Sequence, residues 1–254
     1  MLLNYQIFGE KSDHPTLIIA HGLFGSSRNW RAIARQLSRD RQVVTVDMRN
    51  HGESFHNEVH DYPSMAEDLA SVTRHFGAPC DLLGHSMGGK AAMFLACIEP
   101  SLINRLLVID IAPVRYDHSH LENINALLAL ELDRITSRST ADEALKASIP
   151  DDVVRAFLVQ SLVIEEGRNR WMLNLPVLKT AHDDVLGFPE VEGQFTGSAL
   201  FLSGGQSDYV TSSHNGLILQ HFPSTEFEII AKAGHWVQAE APREFIEAVS
   251  AFIK

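Results

Sequence analysis

Six short apolar runs punctuate the chain: Leu17–Ala20, Val43–Val46, Cys80–Leu83, Leu106–Ile109, Ala199–Leu202 and Phe227–Ile230. Most are apolar at nearly every position rather than at every second one. A strand with one wet face alternates, so continuous runs mark parallel strands covered on both faces. Between them stand amphipathic stretches at 28–40, 64–76, 87–98, 212–221 and 241–253, which read as helices. This alternation predicts an α/β fold with a mostly parallel central sheet and helices on both faces.

One interval breaks the rhythm. From Pro113 to Thr196 there is no convincing strand, only helical patterns at Leu121–Leu132, Ala141–Ala147 and Asp151–Ile164, and a Trp171–Leu178 segment. A structureless loop of that length does not suit a compact domain, so the interval must carry its own fold. The expected organisation is a core formed by 1–112 and 197–254, interrupted by a helical lid at 113–196. Its acidic pairs Asp151/Asp152, Glu165/Glu166 and Asp183/Asp184 read as solvated faces and helix starts.

Charge and cysteine content exclude several function classes. The formal net charge is −11 and no basic patch follows a phosphate backbone, so nucleic acid is not an expected partner. No apolar run approaches the ~20 residues of a membrane span. The first residues lack a basic region, a long apolar core and a small-residue cleavage site, which makes the cytoplasm the default compartment. Cys80 and Cys97 lie within apolar runs and read as buried thiols. Neither Cys-x-x-Cys nor His-Glu-x-x-His occurs, and the glycine-rich stretches do not suit a phosphate or dinucleotide loop. No metal site or nucleotide-binding loop is therefore expected.

The chemistry is concentrated at Gly84-His85-Ser86-Met87-Gly88, between an apolar strand and a helix. Gly-x-Ser-x-Gly in that setting is a nucleophile elbow. The turn is tight enough that a side chain at Gly84 or Gly88 would strike the strand or the helix. The hydroxyl of Ser86 is thereby lifted clear of the sheet. A serine hydroxyl is a poor nucleophile at neutral pH and needs a base within reach. Among 13 histidines, His235 stands out, because Ala233-Gly234-His235-Trp236 follows the last strand at the sheet edge where sites form. His14, His56, His60, His118, His120, His182, His214 and His221 sit in polar or loop contexts and read as solvated. The oxyanion donors are expected to be the amides of Met87, after the nucleophile, and Leu23, in His21-Gly22-Leu23-Phe24-Gly25. His21 is expected to bond backbone within that loop. Phe24, Trp171 and Trp236 are candidate walls of an apolar acyl pocket.

His21–Ser26, Val46–Ser54, Gly84–Met93 and Gly234–Trp236 together resemble the α/β-hydrolase superfamily. The resemblance covers essentially the whole chain. The wording His-Gly-Leu-Phe-Gly-Ser, Asp-Met-Arg-Asn-His-Gly, Gly-His-Ser-Met-Gly-Gly-Lys-Ala and Asp110-Ile111-Ala112-Pro113 looks most like the YbfF-type bacterial esterases. It implies cofactor-free hydrolysis of small to medium carboxylic esters, with the chain order nucleophile, acid, histidine. Two aspartates compete for the acid. Asp208 stands beyond the strand at 199–203, the usual superfamily position, and its Gly-x-x-Asp spacing aims it toward the loop of His235. Asp110 ends the preceding strand, and the YbfF-type esterases imply this one. Asp208 is the expected acid, with Asp110 as the alternative. An aspartate in place of Ser86 would mark dehalogenases and epoxide hydrolases, so those are excluded. A C–C bond hydrolase, a haloperoxidase-like enzyme, or a ligand-binding protein of the same fold are the alternative functions.

Overall fold

The computed structural model describes residues 1–165 and 168–254. Its strands are β1 (Tyr5–Phe8), β2 (Leu17–Ala20), β3 (Val43–Val46), β4 (Cys80–His85), β5 (Ile103–Ile109), β6 (Leu162–Val163), β7 (Arg170–Trp171), β8 (Ala199–Gly204) and β9 (Thr225–Ile230). The helices are α1 (Arg31–Leu37), α2 (Tyr62–Phe76), α3 (Met87–Ile98), α4 (Leu121–Ala129), α5 (Arg138–Leu145), α6 (Asp152–Leu158), α7 (Leu175–Thr180), α8 (His182–Leu186), α9 (Asn215–His221), α10 (Val237–Glu240) and α11 (Pro242–Phe252).

Seven strands form one sheet in the order β1-β3-β2-β4-β5-β8-β9, parallel except for β1. All six apolar runs are strands of this sheet. Their alternate residues feed opposite layers: Leu82, Leu106 and Val108 pack with α2 and α3, whereas Leu83, Leu107 and Ile109 pack with α1 and α11. That is why the five inner runs are apolar at nearly every position; Phe227–Ile230 lies on the edge strand β9, where Phe227, Glu228 and Ile229 are exposed. β1 is an addition to the sequence reading. Its mixed Tyr-Gln-Ile-Phe composition belongs to an antiparallel edge strand with only partial cover.

The chain runs outward from β2 to β3, then crosses back to place β4 on the other side of β2. Strand order therefore reverses between β2 and β4, and the crevice at their carboxyl ends is where α/β sheets bind ligands. The loops after β2, β4, β5, β8 and β9 all leave from this edge.

Residues 121–178 have their own apolar cluster, built from Ile124, Leu127, Leu145, Leu158, Leu162, Leu175 and Leu178 among others. Phe24, from the loop after β2, belongs to the same cluster. The helix expected through Ile164 stops at Leu158, and the β-branched Val163 pairs in a short hairpin with Arg170 instead. Asp151 caps α6 by accepting from the amides of Val153 and Val154, as its position before an apolar run suggested. Glu166, of the Glu165/Glu166 pair, lies outside the described residues. Both cysteines are buried and free. Among the described residues no helix is long and apolar enough to cross a membrane, and no group of three or more His, Cys, Asp or Glu could hold a metal ion.

Candidate active site

Ser86 sits between β4 and α3 with φ 52° and ψ −120°, a conformation L-residues seldom adopt. Close packing imposes it. A Cβ on Gly88 would lie 2.5 Å from the Ala20 carbonyl oxygen, and one on Gly84 would collide with the backbone of Gly88. The Ser86 amide donates to the Ile109 carbonyl (3.1 Å), which ties the turn to β5. Phe24, Asn50 and Asp110 also have positive φ without being glycine, and all stand on loops of this edge.

The loop after β2 is held from beneath by two buried histidines. His21 bonds the Gly22 carbonyl through Nδ1 (2.8 Å) and accepts the Met48 amide at Nε2 (3.0 Å). This matches the backbone-bonding role expected of it. His51 donates from Nδ1 to the Arg49 carbonyl (2.9 Å), so its Nε2 is free to accept the Phe24 amide (3.3 Å). Burial lowers the pKa of both rings, which keeps them neutral and able to accept. With the Phe24 amide so engaged, the Leu23 and Met87 amides carry no protein partner among the described residues.

His235 donates from Nδ1 to Oδ2 of Asp110 (2.7 Å). Asp110 is fully buried, and its carboxylate also accepts the Gly204 amide (3.0 Å) and the Ser207 hydroxyl (2.5 Å). Four anchors fix the histidine. Its ring stacks on Tyr209 with centroids 3.9 Å apart. Its carbonyl accepts from His85 Nε2 (2.9 Å). The Glu240 carboxylate takes the amides of Gly234 (2.8 Å) and Trp236 (3.2 Å) on either side. Burial, then the neighbouring His235, pushes the His85 pKa down to about 3, so that ring stays a neutral donor.

The structure thus pairs His235 with Asp110 and not with Asp208, the acid preferred from spacing. Asp208 is exposed and makes no side-chain hydrogen bond among the described residues. The reason is local. Ser207 turns inward to the Asp110 carboxylate and Tyr209 covers the imidazole, so the residue between them faces water. Asp110 in turn lies beside β8, with its amide on the Leu202 carbonyl (2.9 Å), and the loop after β8 closes on it.

Ser86 and His235 line one cavity of about 250 Å³ with Leu23, Phe24, Phe157 and Trp236. Trp171, a candidate wall, is elsewhere: it packs in the cluster of 121–178, and its Nε1 donates to the Leu127 carbonyl (3.1 Å). Three histidines read as solvated are not. His60 and His182 are buried, and His120 lines the cavity with its pKa pushed down to about 3, by burial first and His118 second. Burial likewise lowers His60 to about 4. Tyr209, His85 and Ser207 were not anticipated. His85 was within the elbow motif, but the contacts of the other two depend on how the loop after β8 folds back. Lys90, one turn beyond Ser86, is also buried and donates to the carbonyls of Leu186 (2.8 Å) and Gly187 (2.5 Å), tying α3 to the end of α8. Burial, then Arg115, lowers its pKa to about 7.

A strained serine, an imidazole oriented by a buried carboxylate, and two open amides, one at the start of α3 and one on the loop after β2, can together perform acyl transfer. Comparisons with known proteins agree. The alpha/beta hydrolase fold family matches residues 15–242. A mouse protein, "sn-1-specific diacylglycerol lipase ABHD11", is 38% identical over 260 residues, covering 99% of this chain and 85% of its own. "Esterase YbfF" of Escherichia coli is 35% identical over 257 residues, 100% of this chain and 99% of its own. The solved structure "Marine microorganism esterase" superposes with a TM-score of 0.92 at 34% identity, covering 99% of both chains.

Proposed function

Because this chain belongs to the alpha/beta hydrolase fold family and is a carboxylic ester hydrolase like its relatives, we propose that it works through an acyl-enzyme on Ser86. The observation that carries this reading is the strained Ser86 sharing one cavity with the His235–Asp110 pair. Ser86 Oγ attacks the ester carbonyl as His235 Nε2 takes its proton. Asp110 holds the Nδ1–H tautomer and stabilises the imidazolium. The amides of Leu23 and Met87 receive the oxyanion, and His235 then returns the proton to the departing alcohol. Water, deprotonated by the same imidazole, releases the acid and restores Ser86. Every step is assigned to a side chain or amide of the protein, and we propose no cofactor.

We take the substrates to be esters of small to medium acyl groups, in keeping with the size and largely apolar walls of the cavity. Residues 113–196 are read as a lid over it. A C–C bond hydrolase acting on a carboxylated substrate would be favoured by basic residues in the cavity. Among the described residues its lining includes neither arginine nor lysine.

The test is direct. Ser86→Ala should lower kcat for p-nitrophenyl butyrate by about 10⁶, and a phosphonate ester should label wild-type protein at Ser86 alone. More than a few per cent of activity remaining would refute the mechanism.

A further inference from the structure

A second concavity adjoins the catalytic one. It is an open groove of about 680 Å³ between α6 and α10, and it shares Asn29, Phe157, Trp236 and Gln238 with the cavity around Ser86. One wall is the outer face of α6, where Val153, Ala156 and Phe157 follow helical spacing. Burial in the core does not explain that face. The opposite side of the same short helix, Arg155 and Leu158, is the buried one, while Val153 is 60% exposed. The other wall is Trp236 and Ala239. Rings of Phe157 and Trp236, with centroids 5.4 Å apart, stand where the two spaces meet. Gln238 stands there too, its Oε1 buried without a partner among the described residues.

We infer that this groove is the subsite for the alcohol portion of the ester and selects neutral alcohols carrying an alkyl chain. The inference rests on the esterase reading. Its geometry follows from proton transfer: the leaving oxygen collects its proton from His235, so the alcohol must depart on the imidazole side of Ser86. The groove opens beside Trp236 and Gln238, which directly follow His235. The Leu23 amide and Phe24 stand on the other loop, after β2, and the Met87 amide starts α3. An apolar floor takes a chain, and the rim of Arg28, Asp152 and Glu240 sums to −1, which disfavours an anionic alcohol.

The experiment compares kcat/KM for hexyl butyrate and ethyl butyrate, following acid release in a pH-stat. Each methylene withdrawn from water is worth up to about fourfold in binding, so wild-type enzyme should favour the hexyl ester by at least about tenfold. Val153→Asp and Ala239→Asp place a carboxylate on opposite walls at exposed positions, where folding is not at stake. Each should bring the ratio at least about fivefold closer to unity, whereas Val153→Leu should keep it. A wild-type ratio near one, or a ratio untouched by both aspartates, overturns the subsite. So does a result in which the aspartates instead change the preference between ethyl butyrate and ethyl decanoate, because the groove would then hold the acyl chain. If no ester, p-nitrophenyl butyrate included, is hydrolysed by the wild type, the esterase reading fails and the subsite falls with it.

Discussion

At the scale of single residues, two aspartates that compete for the acid in the sequence, with Asp208 the expected one, part company in space. Asp110 is buried and meets an amide, a hydroxyl and the His235 ring, whereas Asp208 faces solvent. A carboxylate on Nδ1 fixes the tautomer that leaves Nε2 ready for the serine proton, and losing it typically costs about 10⁴ in rate. Asp110→Asn should therefore lower kcat by about that factor, while Asp208→Asn stays within about twofold. Steady-state kinetics on one short-chain ester decides this, and the reverse ranking would restore Asp208 as the acid. The resemblance to the YbfF-type esterases implied Asp110, but spacing alone favoured Asp208. Spacing told how far each aspartate stands past its strand, but not that Ser207 and Tyr209 would occupy the space beside the imidazole.

Among elements, the loops after β2 and β3 act as one unit. His51 receives the Phe24 amide, and its neighbour Asn50 receives Asn174 twice, amide to carbonyl (2.9 Å) and side chain to side chain (3.0 Å). The run at residues 47–54 thus grips both the loop that supplies the Leu23 amide and the start of α7. Removing the acceptor leaves a buried N–H unsatisfied, a cost of about 1–3 kcal/mol, most cheaply relieved by letting the loop move. His51→Ala should lower kcat per titrated active site by about tenfold or more with KM little changed. An oxyanion donor acts in the transition state more than on bound substrate. If kcat per titrated site were unchanged and only the folded fraction fell, His51 would be a packing residue alone. The motif was visible as a resemblance, but its grip on α7 was not, since that contact joins residues over a hundred positions apart.

For the whole molecule, the consequence of so many neutral histidines is acid lability. His60 is held at about 4, His85 and His120 at about 3, and His21 and His51 are also lowered, each chiefly by burial. In the unfolded chain all five titrate near 6.5. Below that pH the unfolded state binds more protons than the native one, so stability must fall as pH drops from about 6.5 toward 4. Each fully shifted histidine contributes up to about 1.4 kcal/mol per pH unit. Unfolding at pH 5.5 should take up about three protons at His60, His85 and His120, with a further contribution from His21 and His51, measurable by calorimetry in buffers of different ionisation enthalpy. Unfolding without proton uptake, or a denaturation midpoint constant between pH 6.5 and 5, would mean the rings are hydrated in the native state.

Strand placement, the nucleophile elbow and the position of His235 were readable in the sequence because each depends on local rules. Runs apolar on both faces need cover on both, a turn that tight needs Gly84 and Gly88, and a histidine just past a parallel strand stands at the sheet's carboxyl edge. Edge strand β1 escaped because partial cover leaves no continuous apolar signature, and the histidines read as solvated misled because polar neighbours in sequence do not report burial in space. The pairing of His235 with Asp110, the bond from the Phe24 amide to His51, the displacement of Trp171 from the cavity and the groove beside Trp236 were decided only by tertiary structure. Each depends on which segments from distant parts of the chain meet at the crevice between β2 and β4. Neighbours along the chain set a residue's conformation, but hydrogen-bond partners and burial come from whatever the fold packs against it.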